Sequence, residues 1–183
     1  MSIVTANLAI SLDGFTAGPD QTLEHPFGTG ADALTAWMFE TDQPGREADK
    51  QLLADLHANT GAHIMGRNMF GPGRGAWDPD WTGWWGPEPP YHAPVFVLTH
   101  HERPPLPMQG GTTFTFVVDG VESALDQARQ AAGGKPIEIA GGAAAVRQFL
   151  AAGLLDGLSG LSMTPVEVIA SPTVTHLRYR ISS

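Results

Sequence analysis

Ile137-Glu138-Ile139-Ala140-Gly141-Gly142-Ala143-Ala144-Ala145-Val146-Arg147-Gln148-Phe149-Leu150 runs from a short β-branched segment, through two glycines, into a helical pattern. Two residues without side chains at a strand-to-helix turn let another molecule approach the backbone closely. The unpaired N–H groups and the positive dipole end of the new helix favour an anion there, most often a phosphate. Strand-Gly-Gly-helix turns also serve tight packing alone, so the motif takes its meaning from the rest of the chain.

Upstream, residues 121–132 form an amphipathic helical pattern, and 113–118 and 95–98 read as buried strands. Residues 62–65 are a further strand. Before it, 47–58 reads as a helix with Leu52, Leu53 and Leu56 on one face, stopped by Gly61. Residues 33–39 predict a short helix with Asp32 as its N-cap. Residues 3–10 predict a first, largely buried strand ending in the turn Ser11-Leu12-Asp13-Gly14. Downstream, 166–170 and 174–181 predict two strands joined by Ser171-Pro172-Thr173. Alternation of His176, Arg178 and Arg180 with Leu177, Tyr179 and Ile181 gives the second one wet face.

Strands separated by helices imply one α/β domain over 1–183, with a mainly parallel sheet and an antiparallel C-terminal edge. Ligands of such sheets bind at the carboxyl ends of the strands. Asp13-Gly14, Gly66-Arg67, Thr99-His100-His101 and Gly141-Gly142 all follow strands directly, so four distant parts of the chain converge on one edge.

A chain of 183 residues that is 42% hydrophobic can bury a sizeable core, and no apolar run reaches transmembrane length. The start Met1-Ser2-Ile3-Val4-Thr5 has no basic-then-apolar leader pattern, and cysteine is absent. That composition rules out disulfides and thiolate catalysis, and it leads us to expect a cytoplasmic protein. Net charge is −9, with two lysines among ten basic residues, so neither nucleic acid nor a membrane is an expected partner.

Arg67 can grip a phosphate through its planar fork, or lie on the surface after its turn. Thr99 and His100 occupy the equivalent place after the next strand and can hydrogen-bond a phosphate or an adenine edge. His100 and His101 point apart on extended chain, and the other histidines lack ligand spacing such as H-x₃-H. No metal site is therefore expected. Asp13 is either a turn aspartate or a carboxylate that holds or protonates substrate. Trp77, Trp81, Trp84 and Trp85 line an aromatic pocket or plug a loop, with Trp37 and Phe39 as a possible continuation of the same wall. Gly-x-Ser-x-Gly, a Walker A lysine and His-Glu-x-x-His are all absent. Hydride transfer suits such a chain, because the cofactor brings the reactive group.

Ser11-Leu12-Asp13-Gly14-Phe15, Met65-Gly66-Arg67, Val97-Leu98-Thr99, Gly141-Gly142, Gly153-Leu154-Leu155-Asp156 and His176-Leu177-Arg178-Tyr179 together resemble the bacterial dihydrofolate reductase-like family. That family includes the reductase domain of the bifunctional riboflavin-biosynthesis deaminase-reductase. The resemblance implies a three-layer fold that binds NADPH across the sheet, and, by analogy, a homodimer. By resemblance Gly141 and Gly142 cradle the pyrophosphate. Gly66, Arg67 and Asn68, with Thr99 and His100, surround the adenosine end and its 2′-phosphate. Ser11 and Asp13 lie near the nicotinamide, with Asp13 the catalytic candidate. Trp37 and Trp77 are further substrate candidates.

Two departures from the family pattern stand out. The first helix carries Trp37 and Met38 mid-length, where folate reductases place a carboxylate. After Asp156 the family's core strand and Pro-Val-Leu-Leu-Gly-like turn are replaced by a direct run into Ser159 to Val166. Either a loop is missing from the sequence or a strand is deleted, and a deletion would expose backbone groups on its neighbours. The implied function is an NADPH-dependent reductase of a small heteroaromatic, imine or carbonyl molecule. One specific form is a reductase of the 5-amino-6-(5-phosphoribosylamino)uracil type, whose phosphorylated ribosyl chain would need a second basic site, with Arg46 and Arg74 the candidates in the early loops. A nucleotide-binding module without turnover and a folate-type reductase are the alternatives.

Overall fold

Runs of apolar residues long enough to be covered on both faces build the centre of the sheet. The computed structural model describes residues 2–11, 13–156, 162–170, 172 and 174–182, with backbone alone at 162–167, 170 and 176–182. Five parallel strands, β1 (Val4–Ala6), β2 (Ala62–Gly66), β3 (Pro94–Leu98), β5 (Thr113–Val117) and β6 (Ile137–Gly141), join a short β4 (Leu106–Pro107) that runs antiparallel to β5. The order across the sheet is β1-β6-β2-β3-β5-β4. Ala62, His63, Ile64 and Met65 of β2 are all buried, as expected of a central parallel strand.

Because side chains alternate along a strand, the sheet has two cores. On one face Ala62, Ile64, Phe96, Ile137 and Ile139 pack against α4 (Gly120–Ala132) and α5 (Ala143–Ala151). Leu125 and Phe149 are the large anchors of those helices, and burying each contributes about 1.5–3 kcal/mol. On the other face Met65, Val95, Val97 and Phe114 meet Phe70 of α3 (Arg67–Phe70), Tyr91 and the tryptophan loop. Two further helices, α1 (Asp32–Phe39) and α2 (Glu47–Ala58), pack against each other, and α2 brings His57 to His63 and Tyr91 on this second face. The result is the expected three-layer α/β arrangement. No helix among the described residues is long and apolar enough to cross a membrane.

Residues 71–93 have no periodicity because aromatic packing, not backbone pairing, holds them. Phe70 meets Trp77, Phe114 and Phe116 edge-on at 5.0–5.5 Å, and Trp85 stacks on Phe114 at 5.7 Å. The Trp81 indole N–H donates to the Phe70 carbonyl at 3.0 Å. Trp77, Trp81 and Trp85 pack on the second core as a plug over the loop.

Three local expectations change. α1 begins at Asp32 with Ala31 as its N-cap, so Asp32 lies in the first turn near the positive end of the helix. β1 covers only residues 4–6, and Leu8 and Ile10 beyond it are 40% and 63% exposed. An apolar run stays a buried strand only where neighbours cover it, and among the described residues β1 pairs with β6 alone. Asp156 closes the start of its open side: its N–H donates to the Val4 carbonyl at 3.2 Å and its carboxylate accepts from the Val4 N–H at 2.6 Å. The antiparallel edge of the main sheet is β4. The C-terminal strands β7 (Ser162–Ala170) and β8 (Thr175–Ser182) instead pair with each other in a separate antiparallel ribbon. Residues 157–161 of the departure after Asp156, Ser171 and Thr173 of the joining turn, and the wet face expected for His176, Arg178 and Arg180 lie outside the described residues or side chains.

Candidate active site

β6, β2 and β3 are neighbours, so Gly141-Gly142, Gly66-Arg67 and Thr99 emerge side by side at the carboxyl edge of the sheet. A Cβ added to Gly66 would lie 3.8 Å from the Gly142 nitrogen and 3.9 Å from the Gly141 carbonyl oxygen, which puts the two glycine turns in contact. Gly141 has φ +129° and the Gly141–Gly142 peptide is cis. Gly142 is the N-cap of α5, where no side chain bonds the first-turn N–H groups. A Cβ on Gly142 would meet nothing within 4 Å. Backbone donors at a helix start, with open space above them, fit an anionic group.

Arg67 stands next along this edge. Its Nε donates to the Gly73 carbonyl at 3.0 Å and its NH1 to the Thr99 hydroxyl at 3.3 Å. The guanidinium carbon lies 3.7 Å from the centre of the Trp77 ring. Trp77 is itself fixed by its indole N–H donating to the His101 carbonyl at 2.7 Å. Partial burial, and then the nearby Arg74, lower the Arg67 pKa, so two guanidinium charges crowd one place. Arg74 NH1 donates to the Asn68 side-chain oxygen at 3.1 Å, and Gln21 donates to the Asn68 carbonyl at 2.8 Å. Paired cations of this kind are relieved by a bound anion. Thr99 is buried and its Oγ accepts from the His101 N–H at 3.2 Å, while His100 is exposed beside it.

Ser11 and Asp13 lie on the loop after β1, itself beside β6. The Ser11 hydroxyl donates to Asp13 Oδ1 at 2.6 Å and accepts from the Phe15 N–H at 2.9 Å. This turn fixes the direction of an exposed carboxylate. Trp37 is buried in α1.

The structure thus brings Gly66, Arg67, Asn68, Thr99, His100, Gly141 and Gly142 to one edge. Trp77 joins that group by packing on Arg67, Phe70 and Phe116. Phe39, expected beside the tryptophans, instead pairs with Phe27 at 6.1 Å. Arg74, one of the two basic candidates of the early loops for a substrate phosphate, lies instead at the cationic end beside Arg67 and Asn68. Arg46 was the other basic candidate of the early loops. It is buried and ion-paired with Glu40 at 3.2 Å and Asp49 at 3.0 Å, which commits it to holding α1 and α2 together.

The RibD C-terminal domain family model matches residues 2–166. No curated protein matches the chain. A solved structure of Acinetobacter baumannii RibD, form 1, superposes on 100% of this chain with a TM-score of 0.53 and 16% identity. The chain spans 59% of that protein's length, and the likeness is one of fold. With a family match over nearly its whole length and a fold to go with it, the chain belongs to the RibD C-terminal domain family.

Proposed function

We propose that the chain is an NADPH-dependent reductase that delivers a hydride to a small heteroaromatic, imine or carbonyl substrate. One observation carries the reading: Gly66 and Gly141-Gly142 lie against each other beneath the uncapped start of α5, with the Arg67–Arg74 pair next along the edge. Membership of the RibD C-terminal domain family supports a reductase of the riboflavin-biosynthesis type.

In this reading the first-turn N–H groups of α5 bind the pyrophosphate, and the missing side chains at 141 and 142 allow the close approach. Arg67, Arg74 and Asn68 take the 2′-phosphate, with Thr99 holding Arg67 in place and His100 flanking the adenine. A bound reduced nicotinamide supplies the hydride. Ser11 orients the Asp13 carboxyl, which hands a proton to the reduced substrate directly or through a water. Trp37 backs the substrate side. A phosphorylated ribosyl chain on the substrate needs a second cation, and Arg46 is committed to Glu40 and Asp49. We therefore favour a substrate without a phosphate over 5-amino-6-(5-phosphoribosylamino)uracil itself. By analogy with the riboflavin-type relatives the working unit is a homodimer.

A fluorescence titration with NADPH, and with NADH in parallel, tests the reading. Micromolar NADPH binding, about −8 kcal/mol, with weaker NADH binding is the expected result. Absence of binding to either nucleotide would overturn the reductase reading. Binding without consumption of NADPH against any substrate of the three classes would favour a nucleotide-binding module. Consumption of NADPH with the phosphoribosyl substrate would show that its phosphate is held without Arg46.

A further inference from the structure

His63 and Glu138 are register partners on β2 and β6, so strand geometry sends both side chains to the same face of the sheet. His63 is fully buried and Glu138 is 5% exposed. His63 Nδ1 and Glu138 Oε2 approach to 2.9 Å, yet neither atom has a hydrogen-bond partner among the described residues. The contact has the distance of a hydrogen bond without its alignment. His57, near the end of α2, contributes a third buried and unpartnered atom, Nδ1. His63 Nε2 is likewise without a partner, and one ligand atom from each of the three residues lies within 4.8 Å of the other two. Buried polar atoms without partners are rare and costly, and here they gather in one place.

We infer that His57, His63 and Glu138 form a binding site for one first-row transition-metal dication of the zinc class. Two imidazoles and a carboxylate are a donor set this class prefers. Metal–ligand bonds of about 2.0–2.1 Å in a tetrahedron put donor atoms about 3.3 Å apart. The observed spacings, from 2.9 Å to a ceiling of 4.8 Å, bracket that value. The outer contacts fit as well. Asn7 Nδ2 donates to Glu138 Oε1 at 2.8 Å, which orients the carboxylate and leaves Oε2 to the ion. The Tyr91 ring packs 4.9 Å from His63 and 5.6 Å from His57, and it shields one side of the cluster from solvent.

The site stands apart from the reductase reading. His63 precedes Gly66 by three residues, roughly 10 Å along the strand, so the ion sits toward the opposite end of β2 from the glycine turns. It fastens α2 to β2 and β6 and, through Asn7, to the segment that carries Ser11 and Asp13. An expectation of no metal site rests on spacing along the chain, whereas the proposed site rests on strand pairing and the packing of α2.

The test uses tag-free full-length protein stripped with a chelator, titrated with Zn²⁺ by calorimetry and with Co²⁺ by visible absorption. One equivalent of each should bind, the Co²⁺ protein should show the intense bands of four-coordinate cobalt, and Zn²⁺ should raise the melting temperature. Glu138→Gln and His57→Ala should each weaken binding at least tenfold with NADPH titration unchanged. His57 is only half-buried at a helix end, so its variant should retain the native circular dichroism. The inference is overturned by failure to bind stoichiometrically, by weak six-coordinate cobalt spectra, or by undiminished binding in folded His57→Ala.

Discussion

Replacing Gly142 with alanine separates what the glycine turn does for the fold from what it does for a ligand. Gly142 has φ −77° and ψ −175°, which alanine adopts readily, and a Cβ there meets nothing within 4 Å. Two small effects on stability oppose each other. Alanine is a poorer N-cap than glycine, by about 0.5–1 kcal/mol. Its stiffer unfolded chain returns about 0.4–1 kcal/mol. The melting temperature should therefore stay close to that of the parent. The same methyl stands where a pyrophosphate must approach the N–H groups that open α5. Losing one hydrogen bond to a charged group removes about 1.5–3 kcal/mol, or roughly ten- to a hundredfold in NADPH affinity. Gly141→Ala is the control with the opposite expectation. Its φ of +129° and a Cβ 3.0 Å from the Met69 sulfur place the damage in the fold, at about 1–3 kcal/mol. Thermal denaturation and NADPH fluorescence titration on both variants read the two effects. If Gly142→Ala melts with the parent and binds NADPH equally well, the turn serves packing alone.

Arg67→Ala removes a guanidinium held by Thr99 and Trp77, and it should weaken NADPH at least tenfold while leaving NADH nearly unchanged. Equal losses for both nucleotides in parallel titrations would move Arg67 away from the 2′-phosphate. Phe70→Ala empties the centre of the aromatic plug and should cost about 3–5 kcal/mol in chemical denaturation. A loss below about 1 kcal/mol would mean that the loop does not depend on Phe70. Arg46→Ala strips a fully buried Asp49 carboxylate of an ion-pair partner and should destabilise by about 3–5 kcal/mol, with NADPH binding intact in the protein that remains folded. Unchanged stability with loss of a phosphorylated substrate would instead return Arg46 to the binding site.

Features that depend on periodicity were legible in the sequence. α2 spans the predicted 47–58, and β2, β3, β5 and β6 fall within a residue of their predicted positions, because continuous apolar runs are what doubly covered strands require. The carboxyl-edge cluster was legible for a related reason: each member follows its own strand directly, so parallel pairing alone collects Gly66, Thr99 and Gly141. The length of β1 was not legible. Residues 3–10 are mostly apolar, and whether such a run stays buried depends on the number of strands beside it, which its own residues do not record. The fate of Arg46 was hidden similarly, since Asp49 is its partner only once α2 forms and Glu40 only once α1 folds back.

The pairing of β2 with β6 explains why one end of the sheet could be read and the other could not. Ile64 faces Ile139, but Met65 faces Gly141, so Ala140 is an extra residue on β6. Such a bulge bends its strand and re-aims the residues after it. Beyond it, Gly142 comes to lie against Gly66. In unshifted register Met65 would face Ala140 and Gly66 would face Gly141, leaving Gly142 and the start of α5 one residue beyond Gly66. Before the bulge the register is undisturbed and sets His63 opposite Glu138. No spacing rule in sequence links two residues as far apart as His63 and Glu138, whereas Gly-Gly before a helix has one. Both sites therefore rest on the same strand pair, and the single extra residue at Ala140 draws Gly142, the N-cap of α5, to the Gly66 backbone without moving the histidine and glutamate out of line.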